Sequence, residues 1–111
     1  MADTYKRLNT TTTFSSGAGT TIYTVPGATT ALVRKVQVIN PGSSAGTVKL
    51  HHVPSGGAAG NGNIILPTVS LGVNEHGVDE APFAMATGDF IVAVGDGTNT
   101  ITINIHGIEV A

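Results

Sequence analysis

The strongest constraint lies in the last quarter of the chain, Thr87 to Val110 with its leading Ala86. Phe90-Ile91-Val92-Ala93-Val94 and Ile101-Thr102-Ile103-Asn104-Ile105 stand on either side of Gly95-Asp96-Gly97. Side chains alternate across a strand, so Phe90, Val92 and Val94 share one face. In the second segment Ile101, Ile103 and Ile105 face one way and Thr100, Thr102 and Asn104 the other. The glycines supply the positive φ values of a short turn, which predicts a β-hairpin at the heart of a domain. After Gly107 the apolar positions become Ile108 and Val110, one residue out of phase, which predicts a β-bulge at His106-Gly107.

The rest of the chain is punctuated in the same manner. Thr20 to Val25 ends at Pro26-Gly27, a type II turn signal. Ala31 to Asn40 carries Leu32, Val36 and Val38 in phase, with Lys35 and Gln37 opposite and Arg34 breaking the pattern near the rim. Pro41 to Ala45 leads to Gly46–Val53, where Val48 and Leu50 point inward and Lys49 and His51 outward, so these two strands are expected to form a hairpin. Pro54 to Asn63, PSGGAAGNGN, reads as a flexible loop able to project from the body. Ile64 to Val73 is a further strand, whose Pro67 argues for an edge position. Asn74 to Gly77 turns, and Val78 to Ala84 is a weaker strand. No segment has the helical period, and no repeat of solenoid length occurs. The expected fold is all-β, a two-sheet antiparallel sandwich of jelly-roll or Ig-like type, with about eight short strands.

The 111 residues correspond to one domain, large enough to bury roughly 65% of the unfolded surface without a disulfide or metal staple. Residues 15–111 form the sandwich. Residues 1–14 are either its edge strand or an extended arm, anchored by Leu8 and Phe14. Cysteine is absent, which removes disulfides and thiolate metal sites together. Met1-Ala2-Asp3 lacks a secretory pattern and no apolar run is long enough to span a bilayer, so a soluble, non-secreted protein is expected.

Only 11% of residues are charged, against ~25% in ordinary domains. A surface of Thr, Ser, Asn and Gly suits lasting contact with other protein. All five basic residues precede residue 55, and six of the seven acids follow it. Cross-strand pairing within one sandwich accounts for this asymmetry most simply; complementary patches that guide assembly are the other possibility.

Nothing in the sequence assembles a reaction centre. His51 and His52 are adjacent and point to opposite faces of a strand, so they cannot chelate one ion together, and His76 and His106 have no metal-ligand spacing. No metal or other cofactor is expected. Asp79-Glu80, Asp89 and Asp96 have turn or pairing roles and no shared cleft. No serine sits in a nucleophile elbow, and the glycines of 56–62 are not followed by the Lys-Ser/Thr of a phosphate loop. Five basic residues and a net charge of −2 make no nucleic-acid stripe, and Tyr5-Lys6-Arg7 is the one suggestive cluster.

Tyr23-Thr24-Val25-Pro26-Gly27, the strand ending Val38-Ile39-Asn40, the Gly-rich loop, Thr87-Gly88-Asp89 and the closing Gly107-Ile108-Glu109-Val110 together resemble small all-β virion proteins of tailed bacteriophages. The likeness spans roughly residues 20 to 110 and is nearest to capsid decoration (cement) proteins, with similar modules in tails and fibres. The resemblance implies a non-enzymatic protein made in the host cytoplasm and placed on the outer surface of the capsid. There, commonly as a homotrimer, such a protein binds the major capsid protein and bridges capsomers, without nucleic acid or membrane as partner. Tyr5, Lys6, Arg7 and Leu8 are the expected partner contacts, by strand addition or as an arm. The alternative is a tail or fibre module binding a host receptor or carbohydrate, with 54–63 as its loop. The lack of Trp, and of any aromatic in that loop, weighs against the alternative.

Overall fold

Alternation of β-branched and polar residues gives ten strands among the described residues, 5–9, 12–15, 17–80, 82–97 and 99–110 of a computed structural model. They are β1 (Tyr5–Arg7), β2 (Thr13–Phe14), β3 (Thr20–Thr24), β4 (Thr30–Ile39), β5 (Gly46–Val53), β6 (Ile64–Leu71), β7 (His76–Asp79), β8 (Phe83–Met85), β9 (Phe90–Val94) and β10 (Ile101–Val110). A single 3₁₀ turn, Asn61–Asn63, precedes β6.

Two antiparallel sheets pack face to face. One has the order β1-β10-β4-β7, with β2 also on β10 and β8 also on β4; the other has the order β3-β9-β5-β6. β1 and β2 lie end to end along one edge of β10, and β7 and β8 likewise along β4. Each pair is one interrupted strand, so the sandwich is four strands over four. The pairs are nested: β1/β2 with β10, β3 with β9, β4 with β7/β8, β5 with β6. A long hairpin folded over on itself and rolled into two sheets has this order, which is that of a jelly roll.

The nesting corrects two expectations. β9 and β10 do not form a hairpin, because they lie in different sheets, and the chain crosses the sandwich between Val94 and Ile101. The same holds for β4 and β5, joined by residues 40–45. Sheets stack only about 10 Å apart, so a few extended residues suffice for a crossing as well as for a hairpin turn. Phe90, Val92 and Val94 do share a face, but the core-facing residues of β9 are Ile91 and Ala93, both fully buried.

The bulge falls at the expected place on the other strand. His106 faces Lys35 whereas Gly107 faces Val33, which leaves Arg34 of β4 as the extra residue. Ala31 and Val33 are inward before it and Val36 and Val38 after it, so Arg34 and Lys35 both lie on the outer face and Leu32 is outside the core. β10 keeps its alternation through Ile101, Ile103, Ile105 and Gly107 to Glu109, so Ile108 and Val110 do not become core positions. Gly107 is required by closeness: a Cβ there would run into the carbonyl oxygen of Leu32.

Two buried asparagines hold the breaks in the sheets. Asn9, between β1 and β2, accepts from Ile105 N at 2.9 Å and donates to Ile103 O at 3.0 Å, so its amide replaces a strand residue alongside β10. Asn40, fully buried after β4, donates to Ser44 O at 2.9 Å and Leu71 O at 3.0 Å and accepts from Gly42 N at 3.0 Å. Pro67 sits in β6, an edge strand, as expected.

Candidate functional site

The two sheets leave their edges exposed on two sides of the sandwich. On one side β1 stands across from β3, and a groove of about 620 Å³ runs between them. Its walls are Lys6, Arg7, Leu8 and Asn9 on one side and Thr21, Ile22, Tyr23 and Thr24 on the other, with Pro26 and Glu109 closing it. Consecutive residues line each wall, whereas a strand's face would offer only every second one. The groove therefore runs along strand edges.

Polar contacts inside the groove link the two sheets. The Tyr23 hydroxyl donates to Glu109 Oε2 at 2.7 Å, and Lys6 Nζ lies 2.9 Å from Glu109 Oε1. These two donors, Lys6 first, hold the Glu109 carboxyl below its ordinary range. Burial, reinforced by the Glu109 carboxylate, raises the Tyr23 phenol well above its usual value near 10. Among the described residues Arg7 has no ion pair; it borders the groove, and its register with His106 turns its side chain to the outer face of the sheet.

The four residues expected to touch a partner thus have different settings. Tyr5, Lys6 and Arg7 are exposed in β1, in antiparallel register with Ile108, Gly107 and His106. The Tyr5 ring is 53% exposed and stacks on His106, with centroids 6.0 Å apart and an interplanar angle of 18°. Leu8 is a correction: it is buried in the core and anchors β1 without offering a contact surface. Residues 5–7 and 13–14 belong to an edge strand; of the proposed arm, residues 1–4, 10 and 11 lie outside the described residues.

Register adds what sequence alone did not. Arg7 faces His106 and His106 faces Lys35, so three basic side chains form a row across β1, β10 and β4, beside Arg34 of the bulge. The signal lay in the pairing of strands a hundred residues apart.

The segment 54–63 is exposed from 54 to 60 and tied to the sheet at its two ends. His51 Nδ1 lies 3.1 Å from Gly60 O and 2.8 Å from Asn63 Oδ1, so this nitrogen carries the proton. Asn63 also accepts from Gly60 N and donates to Ala58 O, each at 3.0 Å. At the loop's base Asp89 accepts from Ser55 N at 3.1 Å and Ala86 N at 3.0 Å and lies 2.9 Å from His52 Nε2. Burial alone raises the Asp89 pKa, but the bonds from His52 and the two N–H groups outweigh it and the net shift is downward. A cleft of about 530 Å³ lined by His52, Pro54, Asn63, Ile64 and Asp89 adjoins this clasp. On the far side of the sandwich, between β6 and β7/β8, two adjoining apolar hollows of about 200 Å³ each are lined by residues including Val36, Leu66 and Phe83.

His51 and His52 point to opposite faces, as the sequence required, and among the described residues no three His, Asp or Glu side chains group so as to hold a metal ion. Compared with known protein families and with curated proteins, the chain matches no family model and no curated sequence.

Proposed function

We propose that this chain is a non-enzymatic structural module of a tailed-phage virion, which binds the outer capsid as a decoration protein and bridges capsomers. The reading starts from the sequence resemblance. The observation that carries it further is the outer face of the six-stranded sheet. Tyr5 stacked on His106, the row Arg7–His106–Lys35, and Leu32 and Ile108 between them give a broad surface in which apolar and basic groups alternate. Tyr and Arg among apolar neighbours is the composition that protein interfaces favour. The fold itself is neutral, since jelly rolls serve in coats, lectins and enzymes alike.

The proposed partner is the major capsid protein, and the proposed assembly is a homotrimer in which symmetric copies act together, so that modest single contacts add to a lasting attachment. Electron cryo-microscopy of the parent particle tests this. Density for the chain on the outer head lattice, in copy number set by icosahedral symmetry, is the expected result. Density confined to tail or neck overturns it.

The second reading, a tail or fibre module for a receptor or carbohydrate, is favoured by the cleft beside the 54–63 clasp, where His52, Asn63 and Asp89 offer polar groups to a ligand. It predicts binding on a glycan array, whereas the decoration reading predicts none.

A further inference from the structure

The outward residues of the six-stranded sheet line up in ranks across its strands. One rank is apolar: Tyr5 faces Ile108, Ile108 faces Leu32, and Leu32 faces Ala84. The next is basic: Arg7, His106 and Lys35, with Arg34 of the bulge beside it. Strands lie about 4.8 Å apart, so the basic rank spans about 10 Å. No outward position of these strands holds a carboxylate. Asp79 is opposite Val36 and Glu109 opposite Ala31, so both lie on the core side. Glu80, the residue after β7, makes no ion pair with the rank, and among the described residues Arg7, Arg34 and Lys35 make none at all. Three of the five basic residues therefore sit unpaired on one face of a chain whose net charge is −2.

Exposed apolar groups gather on the same face. Of the four large apolar side chains left exposed among the described residues, Tyr5, Leu32 and Val78 belong to it, Val78 standing opposite Gln37. Together the two properties select the occupant. A second copy laid face to face would set cations against cations, which like charge disfavours. A phosphate backbone would meet the cations and leave Leu32 and Val78 uncovered. A protein surface with carboxylates beside an apolar centre complements both ranks.

We propose that the outer face of the six-stranded sheet docks on an acidic surface of a partner protein, with Arg7, Arg34 and Lys35 meeting its carboxylates and Tyr5 and Leu32 its apolar side chains. This rests on the reading of the chain as a protein-binding virion module, and it gives the partner's patch its chemistry.

The test uses the ¹⁵N-labelled chain and three peptides: acetyl-EDLFLDE-amide, acetyl-EDSSSDE-amide and acetyl-KKLFLKK-amide. The first is expected to shift the amide resonances of residues 5, 7, 32–35 and 106–108. The second keeps the charge without the apolar centre and should bind about fivefold more weakly or less, and the Lys peptide should not bind. Undisturbed amides at millimolar acidic peptide, or equal binding by the serine form, overturns the proposal. Tighter binding of a twelve-residue oligothymidylate than of the first peptide would assign the face to nucleic acid and overturns it as well. On the parent particle, Arg7→Glu and Lys35→Glu should each weaken attachment about three- to tenfold. Lys49→Glu makes the same change in net charge on the other sheet and should leave attachment within about twofold. Attachment to the head that ignores Arg7→Glu and Lys35→Glu removes this face alone. Peptide binding at the face without attachment to the head removes the decoration reading alone.

Discussion

The Tyr23 hydroxyl of β3 and the Glu109 carboxylate of β10 meet at 2.7 Å across the gap between the two sheets, with Lys6 on the other carboxylate oxygen. Glu109→Gln keeps the shape and removes the charge. It should cost about 1–2 kcal/mol at neutral pH, measured by urea unfolding. The sign with pH is fixed by the downward shift of the carboxyl. Its stabilisation is present above the ordinary Glu value of 4.5 and is lost as pH falls through the lower folded value. Wild type should therefore lose stability below about pH 4.5 more steeply than E109Q; parallel curves would contradict this role for Glu109.

Tyr23 offers a spectroscopic check at the other end of the scale. The chain has two tyrosines, so Tyr5→Phe leaves Tyr23 as the only phenol. Its absorbance near 295 nm should stay that of the protonated form well past pH 10 while the protein is folded. The raised folded value also means that this contribution to stability is full below pH 10 and fades above it. A titration midpoint near 10 in folded protein would remove the bond to Glu109.

Asn40→Ala and Asn9→Ala remove an amide from fully or nearly buried sites and leave backbone groups without partners. Each should cost about 2–4 kcal/mol by chemical denaturation. Asn9→Asp should also destabilise, because the replacement cannot donate to Ile103 O while ionised.

Gly107→Ala places a methyl group against Leu32 O, which is backbone and has nowhere to move. A loss of about 3 kcal/mol is expected in the same assay. Arg34→Ala, at the exposed extra residue of the bulge, should change stability by less than about 0.5 kcal/mol. The pair of results would establish that the bulge depends on spacing and on the glycine, with no part played by the arginine head.

The segment 54–63 should resist proteolysis in wild type despite its glycines, because Asn63 and His51 hold it down. Asn63→Ala should open it to a nonspecific protease at least several-fold faster, read by gel, with little change in global unfolding. Equal cutting of the two proteins would count against the clasp.

The fold class was legible because alternation is a local property. Val36, Val38, Leu50, Ile101, Ile103 and Ile105 have the burial their spacing implied. The phase slip near Gly107 was legible too, but not which strand carried it. Arg34 breaking the pattern of β4 was the complementary sign, and only register joins the two. The mistaken hairpins have a different cause. A short Gly-rich or Pro-Gly link reverses a chain within a sheet or carries it to the next, and nothing in 40–45 or 95–100 distinguishes these. Of the candidate site, Tyr5, Lys6 and Arg7 were found from composition. Their counterparts Tyr23, His106 and Glu109 were not, because no spacing rule connects residues that far apart.

The nested pairing also sets an order of events for folding. β5 and β6 are the only sequence-adjacent strands that pair with each other among the described residues, so they alone can form a local hairpin early. Every further layer closes a longer loop around it, at growing entropic cost and falling speed. Growth runs from the middle of the chain outward, and the termini join last. On a ribosome this means waiting, since β10 emerges after everything it must bind. A chain cut ten residues short loses the strand that joins β1 and β2 to β4, and with it Ile103 and Ile105 of the core.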